Sequence, residues 1–97
     1  LVTDGGLHHH LAASGNFGQV IRKNYPLAIG NRIGQTEVEE VNIVGPLCTP
    51  LDILAQNLTL PVSGPGDFVV IYQSGAYGAS ASPQQFLGHP RVLEVLV

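Results

Sequence analysis

One cysteine, one tyrosine set among small residues and a run of three histidines are the side chains of this sequence best suited to chemistry. Cys48 stands in Gly45-Pro46-Leu47-Cys48-Thr49-Pro50-Leu51-Asp52. At a helix N-terminus the dipole would favour its thiolate. The plainer reading is a small buried residue beside a helix cap, where a lone cysteine commonly belongs. Tyr77 stands in Gly75-Ala76-Tyr77-Gly78-Ala79-Ser80-Ala81-Ser82. Small neighbours let a ligand or a backbone come close, and a phenol can donate to a phosphate oxygen. The competing reading is a half-buried wedge in a tight strand-to-helix packing. His8-His9-His10 invites a metal reading. Adjacent side chains point to different sides of a helix or strand, however, so three in a row rarely hold one ion. No metal is expected, and ordinary loop or substrate-facing histidines are the alternative.

These groups must be positioned mainly by strands and turns. Glu37 to Val44 is rich in β-branched residues in near alternation and ends at the turn signal Gly45-Pro46. Asn57 to Val62 alternates Leu58, Leu60 and Val62 with other residues, and Ser63 to Asp67 reads as a loop. Phe68 to Tyr72 is an apolar run that predicts a strand covered on both faces, and Val92 to Val97 predicts a last strand. Thr49-Pro50-Leu51-Asp52 has a hydroxyl cap, a first-turn proline and an acid, which predicts a short helix. Ser82-Pro83-Gln84-Gln85 repeats that logic as a capping box, with Gly88 to end the turn. Leu7 to Tyr25 carries no clear pattern, because Gly15 and Gly18 interrupt it. The fold class expected is therefore mostly β, a small β-barrel or sandwich with short helical turns.

Composition narrows the function classes. The chain has 97 residues, enough for one domain and one modest core. Its formal net charge is −3, with Arg22, Lys23, Arg32 and Arg91 as the only strong bases. That argues against nucleic acid, which requires a basic face. No segment approaches the roughly 20 apolar residues of a membrane span. The opening residues lack a basic and an apolar region, so no signal peptide is expected. One cysteine excludes an internal disulfide framework and fits a reducing cytoplasm. Asn57-Leu58-Thr59 matches a glycosylation sequon and is taken as chance. Leu1 at the start and an apolar run at the end read as cuts through a longer protein.

Three segments in order carry a resemblance: Val2-Thr3-Asp4-Gly5-Gly6, Gly45 to Asp52, and Gly75-Ala76-Tyr77-Gly78. With Pro90-Arg91-Val92-Leu93-Glu94-Val95-Leu96 they resemble the C-terminal domain of the ornithine and diaminopimelate decarboxylase family, fold type III among pyridoxal-phosphate enzymes. The resemblance spans essentially the whole chain and implies a β-domain like that of alanine racemase. Within the family, Asp4 to Asn16 is most similar to a bacterial branch found with exosortase and exopolysaccharide loci.

The resemblance implies roles one position at a time. Tyr77 matches the tyrosine that hydrogen-bonds the cofactor phosphate. Cys48 matches the cysteine that reaches across a dimer into the neighbouring active site and steers protonation after carbon dioxide leaves. Asp52 matches an acid that pairs with a basic residue across the subunit boundary. Members acting on diamino acids carry an acid directly after the cysteine, where this chain has Thr49. The diaminopimelate branch has an Arg-Pro-x-x-Tyr segment where this chain has Ala12 to Asn16. Neither ornithine nor diaminopimelate therefore fits well, and His8, His9, His10 and Asn16 become candidates, with Thr49, for a different substrate pocket.

Residues 1–97 are expected to be the second domain of a two-domain enzyme. A (β/α)₈ barrel of about 250 residues cannot be here, and pyridoxal 5'-phosphate would be bound covalently by a lysine outside this chain. Lys23, the only lysine, sits in a polar stretch that reads as solvated surface. The expected protein is a cytoplasmic homodimer acting on an amino-acid-like small molecule, with no nucleic-acid or membrane partner. The fragment alone should be inactive and prone to self-association through uncovered apolar surface. A racemase of the same plan and a non-catalytic β interaction module are the alternatives.

Overall fold

Two antiparallel pairs of strands form the framework in a computed structural model that describes residues 1–97. β1 (Leu27–Ile29) pairs with β4 (Val69–Ile71), and β2 (Val38–Val44) pairs with β3 (Ile53–Pro61). Regular structure is mostly sheet, with 3-10 turns at Ala12–Ser14 and Phe86–Gly88 and no closed barrel.

The β2–β3 hairpin provides most of the core. Ile43, Leu54, Ala55 and Leu60 are buried together with Ile29 of β1 and Ala13 of the first 3-10 turn. The hairpin is not regular. Val41 stands opposite Leu58 and Ile43 opposite Ala55, so β3 carries an extra residue between them. Asn57 absorbs it with a left-handed φ of 52° and donates its backbone N–H to Asn42 Oδ1 at 2.9 Å. Such a bulge bends the strand and increases its twist.

The first residues run alongside the end of β2. Thr3 N–H donates to Val44 O and Val44 N–H to Leu1 O, both at 2.9 Å, giving a short parallel bridge at Val2. This pairing delivers Asp4-Gly5-Gly6 to the mouth of the hairpin.

Several expectations are corrected. β4 is three residues long and half-buried, not covered on both faces, and Phe68 and Tyr72 are exposed on either side of it. Val92 to Val97 forms no strand and pairs with none, and Leu93, Val95, Leu96 and Val97 are exposed. Thr49 to Asp52 forms a turn and no helix, because the Asp52 side chain turns inward instead of toward the turn's own amides. At the second expected helix only Phe86–Gly88 is helical, of 3-10 type, and Leu87 within it is left-handed. The Ser82 hydroxyl there is spent elsewhere and caps nothing.

Candidate functional site

The Cys48 turn is built around a buried carboxylate. Asp52 is 3% exposed, and its Oδ1 accepts the Leu7 N–H at 2.7 Å. Its Oδ2 accepts the Leu47 N–H at 2.9 Å. Two glycines make room for it. A Cβ on Gly6 would stand 2.5 Å from the carboxylate, and one on Gly45 would collide with it. Ionised carboxylates accept such amide bonds strongly, so Asp52 staples the Asp-Gly-Gly segment to the cysteine turn. Within this domain Asp52 is an internal brace.

The staple leaves Cys48 exposed on the outside of the turn. Thr49 Oγ1 accepts the Leu51 N–H at 3.3 Å, which leaves the hydroxyl proton free to donate. Asn16 is brought to the same turn, where its Nδ2 donates to Leu51 O at 3.1 Å. Cys48, Thr49 and Asn16 thus share one neighbourhood.

The histidines separate. His10 is buried, and its two ring nitrogens are both engaged. Nδ1 accepts the Ala13 N–H at 3.2 Å, so in the neutral ring Nε2 carries the proton and donates to Ser74 Oγ at 2.8 Å. Burial pushes its pKa below the ordinary 6.5, which favours that neutral form. Both of its nitrogens are thus taken up within this chain, and its ring also borders the groove that His9 lines. His9 donates from Nε2 to Pro90 O at 2.7 Å, which leaves Nδ1 as a free acceptor beside Gly5. His9 lines a groove of about 710 Å³ between Thr3–Gly6 and the loop 63–68. That loop is latched by Asp67, which accepts from Arg32 Nε at 2.5 Å, from Asn31 Nδ2 at 2.6 Å and from the Gly64 N–H at 2.9 Å. His8 is fully buried, its ring tilted by 36° against that of His9 with centroids 3.8 Å apart, and by 52° against that of His89 at 5.4 Å. Neither of its nitrogens has a partner.

Tyr77 stands apart from the cysteine turn, and no hydrogen bond joins its loop to residues 45–52. It is 62% exposed, in a left-handed conformation at φ 60°, with its ring 5.8 Å from that of Phe17. The amides of Gly75, Ala76 and Tyr77 donate to nothing within the chain, while Gly78 is buried against Ser74 O. An exposed phenol beside three free N–H groups is a set of donors, the chemistry that receives an anion. Sequence reasoning found Tyr77 but missed Ser74 and Ser82, which hold its loop. It also missed Arg22, the neighbour of Lys23 in the polar stretch that reads as solvated surface. Arg22 is half-buried, donating to Ser14 O and, at 2.9 Å, to Ile53 O. Isolated serines and one arginine in a polar stretch carry no sequence signal for such contacts.

This arrangement of strands defines a known class of domain. A diaminopimelate decarboxylase from Helicobacter pylori, crystallised with L-lysine, superposes with a TM-score of 0.74 at 27% identity. The likeness covers 94% of this chain and 21% of that one. Residues 1–75 match the family described as pyridoxal-dependent decarboxylase, C-terminal sheet domain. The chain belongs to that family. An L-glutamyl-[BtrI acyl-carrier protein] decarboxylase from Niallia circulans is 48% identical over 99% of this chain and 23% of its own length. A diaminopimelate decarboxylase from Archaeoglobus fulgidus is 33% identical over 95% of this chain and 23% of its own length. The chain thus spans under a quarter of the length of these relatives.

Proposed function

We propose that this chain is the C-terminal domain of a pyridoxal-phosphate-dependent amino-acid decarboxylase, whose barrel and cofactor lysine lie outside residues 1–97. The observation that carries the reading is the Tyr77 loop: an exposed phenol and three free amides are a fit for the cofactor's phosphate, in a chain of this family. When bound, the cofactor supplies the electron sink that the departing carboxylate requires.

This chain's own residues hold and steer. The Tyr77 hydroxyl would donate to the phosphate, joined by backbone N–H groups of residues 75–77. Cys48 holds a proton at Sγ for delivery to the carbon left when carbon dioxide departs. The exposure of Cys48, and its lack of any hydrogen-bonded link to the Tyr77 loop, support a homodimer in which each subunit gives Tyr77 to one site and Cys48 to the other. No helix is long and apolar enough to cross a membrane, and a cytoplasmic enzyme is the proposed setting. Racemase and interaction-module readings are not favoured, since the relatives above are named as decarboxylases.

For the substrate, Thr49 decides. An acid at this position would accept from a distal ammonium. The Thr49 hydroxyl has its proton left to donate, which suits a distal carbonyl or other acceptor. An amino acid acylated onto a carrier presents such a group, in keeping with the name of the Niallia circulans relative. The test is carbon dioxide release by the full-length protein with pyridoxal phosphate, from free diamino acids and from carrier-linked L-glutamate. Release from the carrier-linked substrate, lost in Cys48→Ala, is expected. No release from any amino acid would overturn the reading.

A further inference from the structure

We infer that His10 is a positioning residue for the phosphate-binding loop, acting with Ser82 to set the place of Tyr77. The inference rests on the function proposed above and deepens it.

The loop closes on itself at a neck. A Cβ on Gly78 would collide with Ser74 O, so those two backbones are in close contact. Between them Tyr77 holds a left-handed φ that a side-chain-bearing residue adopts only when its surroundings impose it. The two ends of the neck are the two points that residues 10 and 11 hold. On one side His10 Nε2 donates to Ser74 Oγ at 2.8 Å, and Ser74 Oγ donates onward to Ile71 O at 2.9 Å. On the other, the Leu11 N–H donates to Ser82 Oγ at 2.9 Å, and that hydroxyl donates to Gly78 O at 2.5 Å. Each chain runs in one direction, donor to acceptor. The His10 chain has its direction set at the start, because the Ala13 N–H occupies Nδ1 and leaves the ring proton on Nε2.

The edge of the His10 ring is fixed as well. It meets Tyr25 nearly at right angles, 78° between planes with centroids 5.1 Å apart. His10 is 9% exposed, so its bond to Ser74 is shielded from water. The phenol hydrogen-bonds to neither clamp, and His10 acts on the cofactor through the loop.

Two side chains separate the two halves of the imidazole. Glutamine carries its amide nitrogen where Nε2 lies and can still donate to Ser74. Asparagine reaches only the position of Nδ1, can accept from Ala13, and cannot reach Ser74. In the full-length protein, apparent affinities for pyridoxal phosphate and for pyridoxal, which lacks the phosphate, are measured by equilibrium dialysis. His10→Asn is expected to weaken pyridoxal phosphate about tenfold, the net worth of one shielded hydrogen bond, with pyridoxal unchanged. His10→Gln restores most of that loss, and Ser82→Ala, which leaves the imidazole intact, gives the same phosphate-selective loss as His10→Asn. Equal losses for both ligands, or a full-strength His10→Asn and Ser82→Ala beside a weakened Tyr77→Phe, overturn the inference alone. A Tyr77→Phe variant with no phosphate-selective loss overturns the underlying assignment of Tyr77.

Discussion

Removing the Asp52 carboxylate is the most direct test of how this domain is held together. Asp52→Ala takes away both acceptors at once and leaves the Leu7 and Leu47 amides facing a small void between Gly6 and Gly45. Both bonds are buried, and water reaches a site whose carboxylate is 3% exposed only if the segments part. Each orphaned amide costs about 1–3 kcal/mol, so the loss is about 2–6 kcal/mol against a stability of about 5–15 kcal/mol for a typical domain. Asp52→Asn keeps one oxygen but turns an NH₂ toward the other amide, so it should fall at or below the lower end of that range. Either substitution frees Leu7 and Leu47 locally before it unfolds the whole.

Hydrogen exchange on the full-length protein reads this locally. At the low end, 2 kcal/mol speeds exchange about 30-fold, since each 1.4 kcal/mol is tenfold. The acceleration should be confined to peptides containing Gly6–Leu7 and Gly45–Leu47, with the centre of β2–β3 unchanged. Unaltered exchange in those peptides for Asp52→Ala would show that the carboxylate is not the brace, and the reasoning from its two bonds would be wrong. Gly6→Ala provides an independent check, because its methyl displaces the same carboxylate and should produce the same pattern.

Acid should loosen the domain below about pH 6.5. Burial, then the charges of His9 and His89, push the His8 pKa below that ordinary value, while Asp52 opposes them. A base with a depressed folded pKa is neutral in both states at higher pH. As pH falls past 6.5 the unfolded chain takes up a proton that the folded domain refuses, so stability declines. His10 acts in the same direction. Thermal unfolding from pH 7.5 to 5 should show this slope, and His8→Phe should flatten it; a wild-type profile without slope would refute it. Thr49→Asp should lower kcat/KM for carrier-linked glutamate about 10- to 100-fold and raise it for a free diamino acid, as expected when one polar contact changes sign. Kinetics on both substrates settle it, and an unchanged ratio would remove Thr49 from the specificity site.

The hairpin strands were legible because their chemistry is local. Glu37 to Val44 alternates, and Val38–Val44 pairs within one residue of that reading. β3 begins at Ile53, earlier than the alternation from Asn57 suggests, because the bulge at Asn57 breaks the two-residue period that a strand is recognised by. β1 went unread, since three residues between Pro26 and Gly30 show no period at all. The last strand failed for the opposite reason: Val92 to Val97 has the composition, but composition does not supply a partner edge. At the site, Cys48, Thr49 and Tyr77 were visible through their settings. The work of His10 was not, because it depends on Ser74, which lies 64 residues away in sequence.

What the three histidines do follows from the backbone that carries them. Residues 7–9 form a turn, in which successive side chains leave in different directions. One ring enters the interior, one lies along the groove and one reaches the Tyr77 loop. The same short stretch also holds the cysteine turn, through the Leu7 N–H on Asp52 and Asn16 on Leu51 O. Residues 7–16 therefore touch both functional ends, and Ala12, Ala13 and Ser14 between them are buried in a 3-10 turn against β3. A segment so packed moves as a unit. A substitution that shifts the Ala12–Ser14 turn should disturb phosphate affinity and the Cys48 turn together. Changes at Asp52 or Ser82 should each be felt mainly at their own end. That difference separates a stiff tie between the two ends from two sites that merely share a neighbour.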